Sequence, residues 1–397
     1  MKTQRYFSLV VILGLLTALG PFSIDMYLPG FQDIADSLHT SVASVSLSLS
    51  SYFIGISAGQ LLYGPLLDRY GRKKPLYAGL VLYILASAAC LRATSIDSLI
   101  ILRFAQAVGS CGAAVGSMAM VRDLFGAKDS AKVFSLLLLV VGASPMIAPT
   151  AGSYTISLFG WRAVFIILLI MAVLIMLLTI IGLPETYPPD RSFSLKPGPI
   201  VKNFWNVFKD PQFLTYAMTS SLAFASLFAY VSASPMVFMD IFHVDKKVYG
   251  WIFAFLSIGF IGLSQFNTLL LRKYSSEQIV RVALSAQVLI AFAFLAGNVM
   301  GRYGLPHTIF FLFLLLCSVG FTNPNAAALC LAPFSKNAGT ASALLGALQM
   351  GIGALASVGI SVFSNGTANP MIAIMASTSA LALITLLIGR KILATAI

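Results

Sequence analysis

Residues 64–76 read GPLLDRYGRKKPL, a string in which an acid and a glycine stand shortly before three consecutive basic residues. Gly71 permits a tight turn, because a residue without a Cβ adopts positive φ readily. Asp68 is placed to face the positive amino end of a helix, and Gly64 would let two helices pack closely. The string therefore predicts a short cationic loop between two neighbouring helices.

The chain on either side of this loop is apolar. Of its 397 residues, 58% are hydrophobic and 10% are charged, whereas about a quarter of a soluble domain is charged. A helix needs about 20 apolar residues to cross a bilayer core of about 30 Å. The sequence predicts an all-α integral membrane protein with twelve such spans, at 7–29, 43–66, 75–94, 97–121, 131–158, 162–183, 212–238, 248–271, 278–300, 306–333, 338–364 and 370–390.

The basic residues are unevenly distributed between the two sides of this topology. The net charge is +12, and most of the 25 Lys and Arg fall on the side that holds both termini and the 64–76 loop. Because cytoplasmic loops are enriched in Lys and Arg, we expect both termini to be cytoplasmic. The positive charge thus indicates orientation in a bilayer and not a nucleic-acid partner.

One segment divides the chain into two halves. Residues 184–211 contain six of the 17 prolines and are predicted to be a cytoplasmic linker with a short interfacial helix in IVKNFWNVF. The predicted domains are an N-terminal six-helix bundle at 1–183 and a C-terminal one at 212–397. LLDRYGRK at 66–73 is echoed by LLRKYSSE at 270–277, and six-span repeats of this kind are typical of transporters that rock around a central site.

Span four contains an intramembrane cation. It includes RFAQAVGSCGAA at 103–114, and an unpaired arginine within a bilayer costs about 3 kcal/mol or more. Arg103 therefore needs a carboxylate, backbone carbonyls or water, unless it extends to the outer surface.

Span five combines prolines with small residues. It includes GASPMIAPTAG at 142–152, where prolines kink a helix and glycines allow close packing. The predicted bend involves Gly142, Pro145, Pro149 and Gly152.

These stretches resemble signatures of the major facilitator superfamily. GPLLDRYGRKKPL is similar to the loop between its second and third spans, RFAQAVGSCGAA to its intramembrane arginine signature, and GASPMIAPTAG to the signature of its antiporters. Ala148 and Ser153 depart from that last signature, which commonly has glycines there. With IDMYLPG in span one and GTASALLGALQ in span eleven, the chain most resembles the Bcr/CflA (bicyclomycin and chloramphenicol resistance) branch of drug:proton antiporters.

The resemblance implies a major facilitator fold of two six-helix bundles and specific roles for the loop residues. Asp68 and Arg72 would latch the cytoplasmic side with Gly64, and Asp123 in MVRDLFG would be the acid that meets the arginine. It further implies a monomer in the bacterial inner membrane, without cofactor or metal. Its partners would be small-molecule drugs, protons and the lipid bilayer.

Asp25 is the leading candidate for carrying the proton. Of the 13 acidic residues, it alone falls inside a predicted span away from the ends. At 1.5 Å per residue, Asp25 and Arg103 both lie in the outer third of the membrane, and the resemblance puts spans one and four at one cavity. We hypothesise that the two pair, because burial and a nearby cation act in opposite directions on a carboxylate's proton affinity. The alternative is that Asp25, four residues before Pro29, only caps or kinks the helix end.

Polar residues within the spans are the candidates for substrate contacts. Such side chains either hydrogen-bond a neighbouring helix or face a cavity. The candidates are Tyr27, Gln106, Tyr230, Asn323 and Asn325.

The predicted function is proton-coupled efflux of small, largely apolar antibiotics, such as amphenicols or bicyclomycin, by alternating access. An exporter of one metabolite, an amino acid or a sugar, is the alternative in the same fold; it would need many charged or amide groups in the cavity. An intramembrane enzyme would need a Ser/His, paired-Asp or HExxH constellation within the spans, and the sequence has none there. A passive channel suits two linked six-span halves less well than alternating access.

Overall fold

The computed structural model describes residues 3–125, 127–190, 195–334 and 338–395, and within these ranges the regular structure is helical. The helices are α1 Thr3–Asp25, α2 Phe31–Ser37, α3 Val42–Tyr70, α4 Lys73–Cys90, α5 Ile96–Leu124, α6 Ala127–Phe159, α7 Arg162–Gly182, α8 Pro197–Phe208, α9 Pro211–Pro235, α10 Lys246–Leu270, α11 Ser276–Val299, α12 Leu305–Leu331, α13 Ala338–Val362 and α14 Asn369–Thr395. A 3-10 turn at Leu28–Gly30 and a π-helix at Met236–Ile241 complete the regular elements of the described residues.

The long helices correspond to the predicted spans. By length and composition, 11 helical stretches of the described chain can cross a membrane, and α4, with 18 residues, is the twelfth long helix. α8, with 12 residues, is too short to cross a bilayer and lies within the predicted linker. Residues 191–194 of that linker are outside the described residues.

The first helix ends earlier than predicted. The predicted helix 7–29 includes Pro29, but α1 ends at Asp25. Pro29 has no backbone N–H to continue the helix, and its ring disfavours helical geometry in the preceding residue. The chain therefore passes through the 3-10 turn before α2 begins at Phe31.

The chain forms two compact units. The first comprises Met1–Thr40 and Ser51–Ile200, and the second comprises Ser41–Ser50 and Val201–Ile397. The start of α3 thus belongs to the second unit, where the Ser50 hydroxyl lies 2.6 Å from that of Ser357.

Close backbone approaches position the helices of the first unit. A Cβ on Gly109 of α5 would lie 2.6 Å from the Tyr83 nitrogen of α4. A Cβ on Gly152 of α6 would overlap the carbonyl oxygen of Met26. Since Met26 directly follows Asp25, the small-residue stretch of α6 packs against the point where α1 ends. Gly142, Pro145 and Pro149 lie within the same continuous helix.

In the second unit, α8 is amphipathic. Val207 is buried in a core that includes Phe213, Leu284 and Leu386, and Phe204 packs against it. The opposite face leaves Trp205 52% exposed, as expected for a helix that lies in a membrane interface.

We predict that Gly152→Ala destabilises the protein by about 1–3 kcal/mol, the usual effect of adding a methyl group to a tightly packed site. Gly20→Ala is the matched control, since a Cβ on Gly20 of α1 would meet no atom within 4 Å. Thermal unfolding of the purified protein in detergent measures both effects. Equal midpoints for the two variants would contradict the close approach of α6 to Met26.

Candidate functional site

A fully buried arginine organises the first unit. Arg103 of α5 is 0% exposed, so it does not extend to the outer surface. Its Nη1 donates a hydrogen bond to Gln106 Oε1 at 2.5 Å, and its Nη2 donates to the Ser23 carbonyl oxygen at 2.7 Å. Within the described part of the chain, its Nε has no hydrogen-bond acceptor.

The end of α1 supplies the carbonyl acceptor. The last four carbonyl groups of a helix have no partner within that helix. Because α1 ends at Asp25, the carbonyl of Ser23 falls in this last turn and is free to accept from Arg103. The position of the helix end therefore determines whether the buried cation has this acceptor.

Aromatic rings cover the guanidinium. Its Cζ atom lies 4.2 Å from the ring centroid of Tyr27, 4.3 Å from that of Tyr52 and 5.9 Å from that of Phe165. Each such cation–π contact contributes about 0.5–1 kcal/mol at exposed sites and about 2 kcal/mol where the groups are desolvated. The rings replace part of the hydration that the cation loses on burial.

A second layer of hydrogen bonds holds the groups that contact Arg103. Gln106 Nε2 donates to Ser87 Oγ at 2.8 Å, and the hydroxyl groups of Tyr52 and Ser110 lie 2.8 Å apart. The Ser23 hydroxyl lies 2.6 Å from that of Tyr83. The network thus joins α1, α3, α4 and α5 around one charge.

Asp25 is a buried acid on the segment of α1 that contacts this network. It is 4% exposed, and of the acidic residues that the structure describes it alone is buried. It is the last residue of α1, two positions from Ser23 and two from Tyr27, which both contact Arg103. No ion pair joins Asp25 to Arg103 among the described residues; neutral groups meet the charge of the arginine instead.

The location of Asp25 also bears on the capping alternative. Carboxylates cap the amino ends of helices, where they accept from free N–H groups. Asp25 stands at the carboxyl end of α1, where the helix dipole disfavours a negative charge. A capping role therefore gives no reason for an acid at this position.

The predicted latch residues contact one another beside the loop that precedes α4. Arg72 Nε donates to Asp123 Oδ2 at 2.8 Å, and Arg72 Nη1 donates to Asp68 Oδ1 at 3.0 Å. Gly71 adopts a φ of 81°, as the predicted tight turn requires. Burial alone lowers the pKa of Arg72, but its hydrogen bonds to Asp123 and Asp68 raise that pKa above its ordinary value.

The fourth residue assigned to the latch lies apart from these contacts. A Cβ on Gly64 would meet no described atom within 4 Å. The structure therefore gives Gly64 no close helix contact.

The chain that follows α7 forms a strap over this latch, defined here as residues 183–187. Glu185 accepts hydrogen bonds from the backbone N–H groups of Arg72 at 2.8 Å and Lys73 at 3.2 Å. It thereby caps the amino end of α4. Thr186 Oγ1 donates to Asp123 Oδ2 at 2.9 Å, and the Arg72 Cζ atom lies 4.4 Å from the ring centroid of Tyr187.

Residues 184–187 of the strap fall within the predicted linker 184–211, and their contacts with the latch were not predicted. The signal was an acid, Glu185, placed just after span six beside an otherwise basic surface. Its pairing with a loop more than 100 residues away could not be read from local spacing.

The candidate substrate residues fall into different environments. Tyr27 and Gln106 are buried against Arg103, and Tyr230 is 1% exposed with its ring 5.2 Å from that of Phe253. Asn325 is also buried, and its Nδ2 donates to Asn267 Oδ1 at 2.7 Å.

Asn323 differs from these four residues because it is only partly buried. Its Oδ1 accepts a hydrogen bond from Gln349 Nε2 at 2.8 Å. Gln349 was not singled out from the sequence, because nothing local distinguishes it from other polar residues in small-residue-rich helices.

The long apolar helices of the described residues are those of a helical membrane protein, and comparison with known proteins gives its family. The Major Facilitator Superfamily profile matches residues 13–358, so the chain belongs to that superfamily. It is 34% identical to the "Uncharacterized MFS-type transporter YdgK" of Bacillus subtilis, over 94% of this chain and 92% of that protein.

Two further relatives have names that include resistance. The chain is 30% identical to the "Bicyclomycin resistance protein homolog" of Haemophilus influenzae, over 94% of this chain and 93% of the relative. It is also 30% identical to the "Multidrug resistance protein MdtL" of Citrobacter koseri, over 84% of each chain.

Solved structures show the same fold. A D-xylose-proton symporter aligns with a TM-score of 0.74 at 15% identity, covering 96% of this chain and 97% of that one. A bacterial homologue of the human lysosomal transporter Spinster aligns with a TM-score of 0.72 at 15% identity, covering 98% and 96%. These likenesses confirm the major facilitator fold.

We predict that Arg103→Lys destabilises the first unit even though it keeps the charge. A lysine ammonium cannot stack between two rings while donating to two acceptors in a plane, so a loss of about 2 kcal/mol or more is expected. Arg92→Lys is the control, because Arg92 is exposed. Thermal unfolding in detergent measures both, and equal stability of Arg103→Lys and the wild type would contradict the proposed packing of the cation.

We predict that Glu185→Ala lowers stability by about 0.5–2 kcal/mol, the range for loss of a helix cap, because the backbone N–H groups of Arg72 and Lys73 lose their acceptor. Glu277→Ala is the control, since the described contact of Glu277 is a 3.9 Å ion pair with Arg390. Protease accessibility of the turn between α3 and α4, followed with thermal unfolding, should rise only in Glu185→Ala. A turn that stays equally protected in both variants would show that the strap does not hold it.

Proposed function

We propose that this chain is a proton-coupled exporter of small, largely apolar drugs in the bacterial cytoplasmic membrane, and that it acts as a monomer with both termini in the cytoplasm. The resistance proteins among its relatives and the sequence stretches quoted above support drug efflux and the Bcr/CflA branch. The bias of Lys and Arg towards one side supports the orientation.

The observation that carries this proposal is the buried carboxylate of Asp25, two residues from the Ser23 carbonyl that accepts from Arg103. Two rings, a carbonyl and an amide hold Arg103. Asp25 can therefore gain or lose a proton without removing the acceptors that Arg103 requires. Intramembrane acids of this kind are typical of proton relays in transporters.

The end of α1 links protonation of Asp25 to helix packing. The Ser23 carbonyl and the Tyr27 ring flank Asp25 in sequence, and both contact Arg103. Gly152 of α6 packs against Met26, so a change in the conformation of this segment is transmitted to two neighbouring helices. The Arg103 network and α6 are thus the elements through which proton binding would favour one conformation of the first unit.

The energy for export comes from the proton. A membrane potential of 100 mV supplies about 2.3 kcal/mol for each proton that moves inward, which supports modest outward accumulation of a drug. Asp25 would take up the proton from the outer side and release it to the cytoplasm as drug is exported.

The latch would control the conformational change without touching substrate. Arg72 joins Asp68 to Asp123, and Glu185 fixes the backbone of the same loop. Such a connection favours one arrangement of α3, α4 and α5, and its breakage would accompany the change in access. Pro145 and Pro149 of α6 would supply the bend of the antiporter stretch.

We predict that Asp25→Asn abolishes proton-driven chloramphenicol export in proteoliposomes, because the amide cannot carry a proton, while drug/drug exchange continues. Asp36→Asn, which changes an exposed acid of α2, should leave both activities unchanged. Undiminished drug/proton exchange by Asp25→Asn would rule out the carrier role. Loss of drug/drug exchange together with proton coupling would mean that Asp25 acts on substrate binding.

A further inference from the structure

Three helices of the second unit bring polar side chains together within the membrane. Ser220 of α9 donates to Asn323 Oδ1 of α12 at 2.8 Å. Gln349 Nε2 of α13 donates to the same Asn323 oxygen at 2.8 Å and to Ser220 Oγ at 2.9 Å. The three side chains therefore form a closed triangle of hydrogen bonds.

Among the described residues, the triangle leaves one amide NH2 group and one amide carbonyl unused. Asn323 Oδ1 accepts a hydrogen bond from each of its two neighbours, and Gln349 Nε2 donates one to each of its own. The Asn323 Nδ2 donor and the Gln349 Oε1 acceptor remain, since a primary amide carries both kinds of group. Amide orientations are assigned from such networks, and turning both amides round would again leave one donor and one acceptor.

The three residues lie at a common depth. At 1.5 Å per residue, Ser220 is about 14 Å from the start of α9, Asn323 about 12 Å from the end of α12, and Gln349 about 17 Å from the start of α13. Asn323 and Gln349 are both partly exposed. Polar groups at such depth face the bundle interior or a water-filled space and not lipid.

Other amides of the second unit are used differently. Gln287 is fully buried and its Nε2 donates to Ser379 Oγ at 2.9 Å, while the buried Asn325 donates to Asn267. These bonds join helices and leave no accessible side-chain pair. Asn298 and Asn369 also form a partly exposed amide pair, but at the ends of α11 and α14. Asn323 and Gln349 are thus the partly exposed amide pair described within the interior of the helices.

A cluster of aromatic rings lies one helical turn from Ser220 along α9. Phe224 is partly exposed, and its ring lies 5.1 Å from that of Phe228 and 6.1 Å from that of Phe260. An adjacent donor and acceptor beside aromatic rings suit a neutral molecule that has a polar group on an apolar body. No acidic residue belongs to this described cluster, so it offers a cation no counter-charge.

We infer that Asn323 and Gln349 form a substrate subsite that binds a secondary amide, a group with one N–H donor and one carbonyl acceptor. Ser220 positions both amides. The inference rests on the proposed export function and adds a substrate class to it, namely neutral apolar molecules that carry an amide.

The test uses three matched probes and the full-length protein in nanodiscs. N-benzylbenzamide has the amide donor and acceptor, whereas its N-methyl derivative and benzyl benzoate lack the N–H. The other two probes keep a carbonyl but lose one hydrogen bond, which contributes about 1 kcal/mol, and 1.4 kcal/mol is tenfold in affinity. We therefore expect the wild type to bind the secondary amide about fivefold or more tightly than either of the other two, as measured by calorimetry.

Variants then assign the binding and the preference to the two residues. Gln349→Met should bind all three probes equally, because it removes the acceptor for the probe N–H. Asn323→Leu should weaken the binding of all three, because each probe has a carbonyl. Asn298→Ala, which changes an amide paired with Asn369, should leave binding and the preference unchanged. Equal binding of the three probes by the wild type, or an unchanged preference in Gln349→Met, would overturn the inference. Tighter binding of a hexose than of N-benzylbenzamide would also overturn it and favour the metabolite exporter. If either variant fails to fold, the wild-type probe series still decides.

Export of ethidium separates this inference from the proposed function, because ethidium carries no amide. Proton-driven ethidium export without amide preference would leave the exporter standing and remove the subsite. Amide preference without proton-driven export of any compound would keep the subsite and remove the exporter.

Discussion

A permanent positive charge buried within the membrane is the constraint on which the first unit depends. Arginine cannot shed its proton in a protein, so Arg103 must have its hydrogen-bonding and electrostatic needs met by the groups around it. The Ser23 carbonyl and the Gln106 amide accept from its two terminal nitrogens, and two tyrosine rings cover its face; among the described residues its Nε has no acceptor. The carbonyl lies in the last turn of α1, which ends two residues later. The end of one helix thus supplies an acceptor for a charge on another helix.

This arrangement gives Asp25 its significance. Had Asp25 been the counter-ion of Arg103, protonation would have left a buried cation with too few partners. Since neutral groups hold the cation, a change in the charge of Asp25 alters the local field while the network keeps its acceptors. The acid also lies in the segment that contacts both Arg103 and α6. The proposed proton-binding residue is therefore next in sequence to the residues that contact these two helices.

The sequence predicted the fold and much of the chemistry, because both follow from strong local signals. Length and hydropathy predict the spans, and the need of Arg103 for non-lipid partners follows from its charge alone. The identity of those partners does not, because Tyr52 and Ser23 reach Arg103 only through the packing of three helices. The strap was missed for the same reason, since Glu185 and the loop it caps are far apart in the chain. Asn323 was predicted as a candidate for substrate contacts. Its hydrogen bond with Gln349 was not predicted, because that contact depends on how α12 and α13 pack against each other.

The most direct measurement of the central claim is infrared difference spectroscopy of the purified protein in nanodiscs, recorded at several pH values with and without chloramphenicol. If Asp25 carries the proton, a carboxylic-acid C=O band should titrate, change when drug binds, and be absent from Asp25→Asn. It should be retained in Asp36→Asn. A spectrum in which no carboxylic-acid band responds to drug, or in which the responding band persists in Asp25→Asn, would contradict the assignment of Asp25 as the proton carrier.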